Sequence, residues 1–244
     1  EVWKWKDESG NIILDQLKKL GCSCDWSRNR FTMDKDLSSA VTKVFVELYN
    51  NNLIFKDLKL INWDTKLQTA ISDLEVVQKD VSSELYYIKY QIDGSSDSII
   101  IATTRPETMM GDTAIAVNPK DSRYKNLVGK EVIIPIVNRK INIIEDNYAD
   151  PEQGSGAVKI TPAHDFNDYE VGQRHKLKII NILEKDGTIN NNGIRDFIGL
   201  DRFEARKKLI EQLKTNNCLE KVESIKNGVP YGDRSNSIIE PYLT

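Results

Sequence analysis

The sequence has few cysteines, no large excess of either charge and no long apolar run. Its three cysteines (Cys22, Cys24 and Cys218) are too few and too unevenly spaced for a disulfide framework or a four-ligand zinc site, which fits a reducing cytoplasm. The 34 basic and 37 acidic residues leave a net charge of −3, which excludes nucleic-acid binding by bulk positive charge. No apolar stretch approaches the roughly 20 residues of a membrane span, and the first residues lack a signal-peptide profile. We therefore expect a soluble cytoplasmic protein without a membrane partner.

The composition is that of a globular protein large enough to bury a core. Charged residues make up 29% and apolar residues 39% of the 244 positions. Apolar side chains recur at helical spacing over residues 11–20 and 36–50, and we expect a small helical stem there. Helices are also expected over residues 165–175 and 202–214, and a turn-rich tail over 228–244.

Between residues 58 and 183 the sequence is dominated by short runs rich in β-branched residues and separated by turn residues. Strands are expected over residues 58–63, 85–92, 98–104, 113–117, 131–136, 141–144, 157–161 and 179–183. The fold class is therefore predicted as α+β, with a β-barrel core, peripheral helices and the helical stem at the amino terminus. The corresponding division is a connecting stem (1–78), a barrel domain (79–226) and a return segment (227–244).

An arginine lies where the strand over residues 98–104 ends. Thr104 and Glu107 have the spacing of a capping box, and Pro106 suits the first turn of a helix. This corner is therefore interpreted as a helix start, which leaves Arg105, a cation at its mouth, without an explanation.

A second corner follows the strand over residues 157–161. The two-residue period of a strand puts Lys159 and Thr161 on one face, opposite Val158 and Ile160. Asp165 can cap the following helix, and a carboxylate in the first helical turn, such as Asp168, is stabilised by the helix dipole. If the two corners meet, they form a polar cluster of mixed sign that suits a zwitterionic ligand with an amine, a hydroxyl and a phosphate.

The residues at both corners resemble a known family. The segments ATTRPETMMGDTAIAVNP (102–119) and GSGAVKITPAHDFNDYEVGQRH (154–175) are similar to the two signature segments of the editing domain inserted in valyl-tRNA synthetases, which are class I aminoacyl-tRNA synthetases. Residues 21–34, 60–76 and 234–241 resemble the segments by which that insertion leaves and rejoins the catalytic domain. The resemblance extends over nearly the whole chain.

The resemblance implies hydrolysis of the ester that joins threonine to the terminal adenosine of valine tRNA. Asp168 would bind the α-ammonium of the substrate, while Lys159, Thr161 and Asp165 would bind the threonine hydroxyl or position the attacking water. The predicted substrate-binding residues are Thr103, Thr104, Arg105, Glu107, Thr108 and His164. The implied partners are the 3′ acceptor end of valine tRNA and the rest of the synthetase chain, and the fragment itself is expected to be monomeric.

Two motifs of the family are missing from the sequence. Neither His-x-Gly-His nor Lys-Met-Ser-Lys-Ser, with which the family activates amino acids, is present, so aminoacylation is not expected from this fragment. ATP and magnesium would serve the full-length enzyme, and no cofactor is expected here. No cysteines flank Trp63 or Gly232, so no zinc or other metal is expected; a metal or general-base role for His164 with an aspartate is disfavoured because no third ligand is evident.

Three alternatives remain open. The chain could be an editing domain of leucyl or isoleucyl type, which hydrolysis of different aminoacyl esters would distinguish. It could be a non-catalytic module that only binds the acceptor end of tRNA. It could also be a structural insertion with a decayed pocket, although the intact polar cluster at both corners argues against decay.

Overall fold

The computed structural model describes residues 1–244, which divide into two compact units, residues 1–57 and 58–244. The first unit is helical, and its α-helices are α1 (Val2–Ser9), α2 (Ile12–Lys19) and α3 (Lys35–Asn50). The helices predicted over 11–20 and 36–50 are confirmed to within one residue at each end, whereas α1 has no counterpart among the predicted elements. None of the helices in the structure has the combination of length and apolar character that crossing a membrane requires.

The second unit contains ten strands and two α-helices. The strands are β1 (Leu60–Asp64), β2 (Thr69–Ala70), β3 (Val76–Ile92), β4 (Ser98–Thr103), β5 (Ala114–Val117), β6 (Glu131–Ile133), β7 (Lys140–Glu145), β8 (Ala157–Ile160), β9 (Leu219–Gly232) and β10 (Ile239–Leu243). The helices are α4 (Phe166–His175) and α5 (Arg202–Thr215), both close to their predicted bounds. The predicted α+β class is confirmed.

Seven strands form a curled sheet that resembles half of a barrel. The order is β4-β3-β6-β7-β5-β8, and β9 pairs with β3 outside this path. Only β5 and β7 are parallel; the other pairs are antiparallel. The sheet curls far enough for its edge strands β4 and β8 to approach each other without pairing. This curl brings together the two corners that follow β4 and β8.

Alternation along the strands decides which side chains face the main core. In β3, Ile88, Tyr90 and Ile92 share one face and are buried in a cluster with residues of β4, β5 and α5. In β8, Val158 and Ile160 pack instead in a second cluster, together with Val171 of α4. The opposite face of β8 carries Lys159, as its two-residue period predicts.

A smaller sheet of three strands has the order β10-β1-β2. β10 pairs antiparallel with β1, with Trp63 opposite Glu240. The prediction of a turn-rich tail over 228–244 is therefore wrong, because these residues complete β9 and form β10. The predicted strand over 179–183 is also wrong, since this run contributes only an isolated bridge between Leu183 and Ile189.

The strand predicted over 85–92 begins earlier, at Val76. Its first residues pair with the end of β9, from Val76 opposite Gly232 to Ser83 opposite Ile225, and form an extended two-stranded ribbon. The proposed three-part division at residues 78 and 226 stays a prediction.

Candidate functional site

Strand β8 and helix α4 place four predicted site residues within one corner. Asp165 is the N-cap of α4, and its Oδ1 accepts hydrogen bonds from the backbone N–H groups of Asn167 (2.8 Å) and Asp168 (3.1 Å). This cap fixes the first helical turn, so that Asp168 Oδ2 accepts a hydrogen bond from the backbone N–H of Thr161 at 2.8 Å. The end of β8 and the start of α4 are thereby joined through a side chain that is 5% exposed.

Lys159 lies at the centre of a closed hydrogen-bond cluster. Its Nζ donates to Thr108 Oγ1 at 2.8 Å and to Thr161 Oγ1, and lies 3.2 Å from Asp112 Oδ1. Because an ammonium group has three protons, these partners use its full donor capacity. Lys159 is buried, with 7% of the residue exposed.

Asp112 was not predicted as a site residue, yet it is the anion of this cluster. Its Oδ1 also accepts a hydrogen bond from Thr161 Oγ1 at 2.6 Å, and its Oδ2 accepts one from Tyr90 OH at 2.7 Å. Burial raises the pKa of Asp112 above its ordinary value, against the stabilising effect of Lys159 and the two hydroxyls. The sequence signal was indirect, since Asp112 lies inside the first signature segment, but its partners depend on the pairing of β5 with β8.

The burial of Asp168 changes its acidity. Burial raises the pKa of Asp168 to about 7; Lys159 opposes this increase and the neighbouring Asp165 adds to it. A carboxylate with this pKa is partly protonated at neutral pH. It can therefore gain a full negative charge when a cationic ligand binds beside it.

The first corner is not the start of an α-helix. Residues Pro106–Gly111 form a 3₁₀ helix with no side-chain cap, so the predicted capping box of Thr104 and Glu107 is wrong. The reason is an ion pair: Glu107 Oε2 and Oε1 accept hydrogen bonds from Arg206 Nε (2.7 Å) and Nη2 (2.8 Å), which turn its side chain toward α5. Burial opposes ionisation of Glu107, but the two arginines Arg206 and Arg105 outweigh it and lower the pKa of this carboxyl.

Two hydrogen bonds join the corners directly, one between Arg105 and His164 and one between Lys159 and Thr108. Arg105 Nη1 donates a hydrogen bond to the backbone oxygen of His164 at 3.0 Å. Thr108 Oγ1 donates to the backbone oxygen of Arg105 at 2.9 Å while accepting from Lys159. Within the first corner, Thr103 Oγ1 accepts a hydrogen bond from the Arg105 backbone N–H at 3.0 Å. The two corners are therefore neighbouring parts of a single polar cluster.

The guanidinium of Arg105 is held on two further sides. Its Nη2 forms an ion pair with Glu240 of β10, and its Nε lies 3.5 Å from Glu107 Oε1. Glu240 Oε1 in turn lies 2.7 Å from Nε of Arg202, at an angle that does not make a hydrogen bond. Three arginines and two glutamates thus form a chain, Arg206–Glu107–Arg105–Glu240–Arg202. Arg202 Nη1 also lies 3.6 Å from Asp201 Oδ2, so the network as a whole carries no net charge.

His164 is neutral and has one unused donor. Burial, with the positive charges of Arg105 and Lys159, lowers its pKa well below the ordinary value. Its Nε2 accepts a hydrogen bond from the Ile182 backbone N–H at 3.0 Å, which assigns the ring proton to Nδ1. The Nδ1 atom is buried without a hydrogen-bond partner in the chain.

A cleft of about 1040 Å³ lies beside these residues. Among the predicted site residues, Thr104, Arg105, His164 and Asp165 line it, together with residues of β1, β9 and β10. Lys159, Thr161 and Asp168, like Thr103, Glu107 and Thr108, lie outside its lining. The site therefore has an open part at Arg105 and Asp165 and a closed part around Lys159.

The Gly154–Gly156 turn has a structural explanation. Gly154 and Gly156 both have positive φ (56° and 81°), and a Cβ at Gly154 would lie 2.8 Å from Ala102 Cβ. These glycines permit the turn and its packing against β4. No group of three or more His, Cys, Asp or Glu side chains is arranged to hold a metal ion.

Comparison with known proteins places this sequence in a family. The model of the tRNA synthetases of class I (I, L, M and V) matches residues 1–228. A curated relative from Pelagibacter ubique (strain HTCC1062), named valine–tRNA ligase, is 69% identical over 244 residues, which are 100% of this chain and 28% of the relative. A relative of the same name from Bradyrhizobium diazoefficiens is 55% identical over 265 aligned residues, again 100% of this chain and 28% of the relative.

The chain spans just over a quarter of the length of these relatives. Among solved structures, a chain from the ternary complex of Agrobacterium radiobacter K84 agnB2 LeuRS with tRNA and LeuAMS aligns with a TM-score of 0.48 and 18% identity, over 93% of this chain and 37% of that one. The family match covers most of the sequence and the valine–tRNA ligases match all of it. The chain belongs to the class I tRNA synthetases of the I, L, M and V group, and its sequence corresponds to a segment of a valine–tRNA ligase.

Proposed function

We propose that this segment hydrolyses the ester of threonine mistakenly attached to valine tRNA. One observation carries the proposal: a buried Lys159–Thr161–Asp168 cluster adjoins, through Arg105 and Asp165, a cleft large enough for the end of a nucleic-acid strand. The similarity to valine–tRNA ligases supports threonine as the rejected amino acid. This similarity also favours valyl over leucyl or isoleucyl specificity.

The need for such a site has a physical cause. A pocket shaped for valine cannot strongly reject threonine, and valyl-tRNA synthetase is the standard example, at about a hundredfold. A second site can use the threonine hydroxyl, because polar groups that pair with it would be left unpaired by valine, at roughly 1–3 kcal/mol for each buried group. Lys159 and Thr161 supply such polar groups on one face of β8.

The α-ammonium of the substrate would bind at Asp168. Asp168 uses Oδ2 for the Thr161 backbone N–H, while Oδ1 makes no hydrogen bond to the chain. The approach of a cation stabilises the ionised carboxylate, whose pKa burial raises to about 7 in the free protein. An ion pair formed there would fix the amino-acid end of the ester next to the corner.

The threonine hydroxyl would bind at the expense of an internal hydrogen bond. The three protons of Lys159 Nζ are directed to Thr108, Asp112 and Thr161. A substrate hydroxyl must therefore replace one of these partners or accept from a rotated Thr161. This exchange would admit threonine more readily than an apolar side chain, which could not restore the lost hydrogen bond.

The hydrolysis needs no protein nucleophile. An oxygen of a bound water attacks the ester carbonyl carbon, the bond from this carbon to the ribose oxygen breaks, and the ribose oxygen leaves with a proton. The protein contributes orientation and electrostatic stabilisation of the developing oxyanion. Arg105, which remains 29% exposed at the cleft, is a donor on the side from which the ester would enter. No cofactor is proposed for this step; ATP and magnesium would serve the amino-acid activation of the full-length enzyme.

The partner would be the 3′ acceptor end of valine tRNA, held by this segment and by the remainder of the synthetase. The cleft carries both signs of charge, with Lys59, Arg105 and Arg206 against Asp73, Asp165 and Glu240. Charge alone would therefore bind nucleic acid weakly there. We propose that most tRNA contacts come from the rest of the polypeptide.

A deacylation assay tests the proposal. Threonyl-tRNA and valyl-tRNA, both on valine tRNA, are incubated with this chain and with the full-length polypeptide that carries it. We expect fast release of threonine and slow release of valine, and loss of threonine release in Asp168→Ala. The matched control is Asp97→Ala, an exposed aspartate in the turn before β4.

Two outcomes would favour the alternatives. Binding of the acceptor end without ester cleavage by the full-length polypeptide would identify a non-catalytic binding module. Unchanged threonine release by Asp168→Ala would overturn the assignment of the ammonium site.

A further inference from the structure

Glu240 is a buried carboxylate that contacts the candidate site from outside the curled sheet. It lies in β10, is 3% exposed and makes ion pairs with Arg105 on one side and Arg202 on the other. Its strand belongs to the three-stranded sheet and pairs with β1. Arg105, by contrast, follows β4 of the seven-stranded sheet. The Arg105–Glu240 contact therefore joins two sheets at the cleft.

The contact fixes the direction of the Arg105 guanidinium. A guanidinium is planar and its donors have fixed mutual angles, so partners on different nitrogens determine its orientation. Here Nη2 pairs with Glu240, Nη1 donates to the backbone oxygen of His164, and Nε faces Glu107. Without Glu240, one of the three directions is lost.

The other side of Glu240 is already stabilised by the fold. Arg202 is at the first turn of α5, with a side chain 6% exposed, and is thus almost fully buried beside the carboxylate. Glu240 is therefore anchored at Arg202 and presents its second oxygen to Arg105. This arrangement differs from that of a simple surface ion pair, in which both partners are free to move.

From this geometry we infer that Glu240 is a positioning residue for ester hydrolysis: it holds Arg105 against the second corner, so that the pairing of β10 with β1 sets the orientation of the arginine at the cleft. The expected effect of Glu240 on the rate rests on the proposed function, but the Arg105–Glu240 contact can also be measured without any activity. Because β10 is held in the small sheet by its pairing with β1, a displacement of either strand would release Arg105. The geometry of the site is thus coupled to the integrity of that sheet.

The main test is a double-mutant cycle on threonyl-tRNA deacylation in the full-length polypeptide. Glu240→Gln keeps the shape of the side chain but removes the charge, and we expect it to lower the rate about tenfold to a hundredfold, the range that a misplacement near 1 Å produces. In an Arg105→Ala background the same Glu240→Gln change is expected to have no further effect. The matched control Glu131→Gln, at an exposed carboxylate of β6, should leave the rate unchanged.

A purely structural role gives a different result in this cycle. In that case Glu240→Gln would lower the rate by the same factor with or without Arg105, since the damage would not pass through the arginine. That outcome would overturn the inference.

Loss of the Glu240 charge leaves the buried Arg202 with Asp201, whose Oδ2 lies 3.6 Å from its Nη1, as its remaining carboxylate, and the single variant could fail to fold. The pair Glu240→Gln with Arg202→Met removes this buried cation and still leaves Arg105 without the Glu240 carboxylate. We expect the pair to restore the melting temperature but not the deacylation rate. Restoration of both would show that Glu240 acts only on stability.

The second readout does not depend on activity. Nitrogen-15 NMR signals of the Arg105 guanidinium, assigned by their disappearance in Arg105→Lys, report rotation about the Cζ–Nη bonds. We expect slow rotation in the unmodified chain and fast rotation in the Glu240→Gln, Arg202→Met pair. If the unmodified protein does not cleave the ester, the proposed function fails, while these signals still decide whether Glu240 holds Arg105. Equal rotation in both proteins would refute the positioning role.

Discussion

Lys159 Nζ lies 3.2 Å from Asp112 Oδ1, and neither side chain is more than 8% exposed. The two residues come from different segments: Lys159 from β8, and Asp112 from the segment between the 3₁₀ helix and β5, the strand that pairs with β8. A buried ammonium is tolerated only when an anion and hydrogen bonds replace its water. The position of Lys159 in the site therefore depends on Asp112.

We predict that Asp112→Ala destabilises the fold by about 3–5 kcal/mol, because it leaves Lys159 as a buried charge without its anion and removes the acceptor of the Thr161 and Tyr90 hydroxyls. Urea unfolding, followed by circular dichroism, measures the change in the free energy of unfolding. The control Asp93→Ala removes an exposed partner of Lys140 and should cost less than about 1 kcal/mol. A loss for Asp112→Ala as small as that of the control would show that the pair contributes little.

The pH dependence of threonyl-tRNA deacylation follows from Asp168. Its ionised form is needed to bind the α-ammonium, and burial raises the pKa of Asp168 to about 7 in the free protein. We predict that kcat/KM rises tenfold per pH unit below pH 7. It should then fall as the substrate amine, with a pKa of roughly 8, loses its proton. The narrow bell-shaped profile is measured after subtraction of spontaneous hydrolysis. A profile that is flat between pH 5 and pH 7, in a protein that remains folded, would contradict the role of Asp168.

Asp168 also affects stability, with a sign opposite to that of a salt-bridged carboxylate. Its pKa is raised in the folded state, so between about pH 4 and pH 7 the folded protein keeps a proton that the unfolded chain releases. Wild-type stability therefore falls through this window by at most about 1.4 kcal/mol per pH unit. The penalty then remains constant above pH 7.

We predict that Asp168→Asn removes this penalty, since the amide oxygen can still accept the Thr161 backbone N–H. The variant should match the wild type near pH 4 and melt at a higher temperature above pH 7. Calorimetric melting temperatures at pH 4, 6 and 8 measure the difference. A variant less stable than the wild type at pH 8 would show that the carboxylate is stabilised by its neighbours more than it is destabilised by burial.

The sequence predicted the elements of the site better than the contacts within them. The two-residue period of β8 correctly put Lys159 and Thr161 on one face, and the cap at Asp165 is formed as expected. Both depend on residues close together in the chain. Asp112 and Glu240 were not predicted, because their partners are 47 and 135 residues away in the sequence.

The failure to predict β9 from the sequence has a different cause. Residues 219–232 carry lysines, glutamates, two glycines and a proline, and they pair with an equally polar part of β3 in an exposed ribbon. Such a ribbon has no buried face, so no alternation of apolar residues marks it. The error over residues 179–183 is the opposite one, because a strand is predicted there and the structure has only an isolated bridge. Ile182 and Leu183 are buried, and an apolar run alone does not distinguish a strand from a buried loop.

A variant of Glu107 can distinguish a structural role of this residue from a substrate-binding role at the first corner. From the sequence it is predicted to bind the substrate, whereas the structure places both carboxylate oxygens against Arg206, with Arg105 Nε at 3.5 Å. We predict that Glu107→Gln lowers the free energy of unfolding by about 3–5 kcal/mol at neutral pH, since it leaves the two arginines with one carboxylate fewer. The pKa of Glu107 is lowered in the folded state, so its contribution is present above the ordinary pKa near 4.5 and is lost as the pH falls.

The difference between wild type and Glu107→Gln should therefore shrink on acidification below about pH 4.5. Urea unfolding at pH 7 and pH 4 measures it, with the exposed Glu220→Gln, which loses a pair to Lys89, as the control. Adding Arg206→Met to Glu107→Gln removes the unpaired cation and should recover most of the stability. If instead Glu107→Gln has the same free energy of unfolding as the wild type but a higher KM for threonyl-tRNA, the carboxylate binds substrate. In that case Glu107 pairs with Arg206 in the free protein and leaves it to contact the substrate.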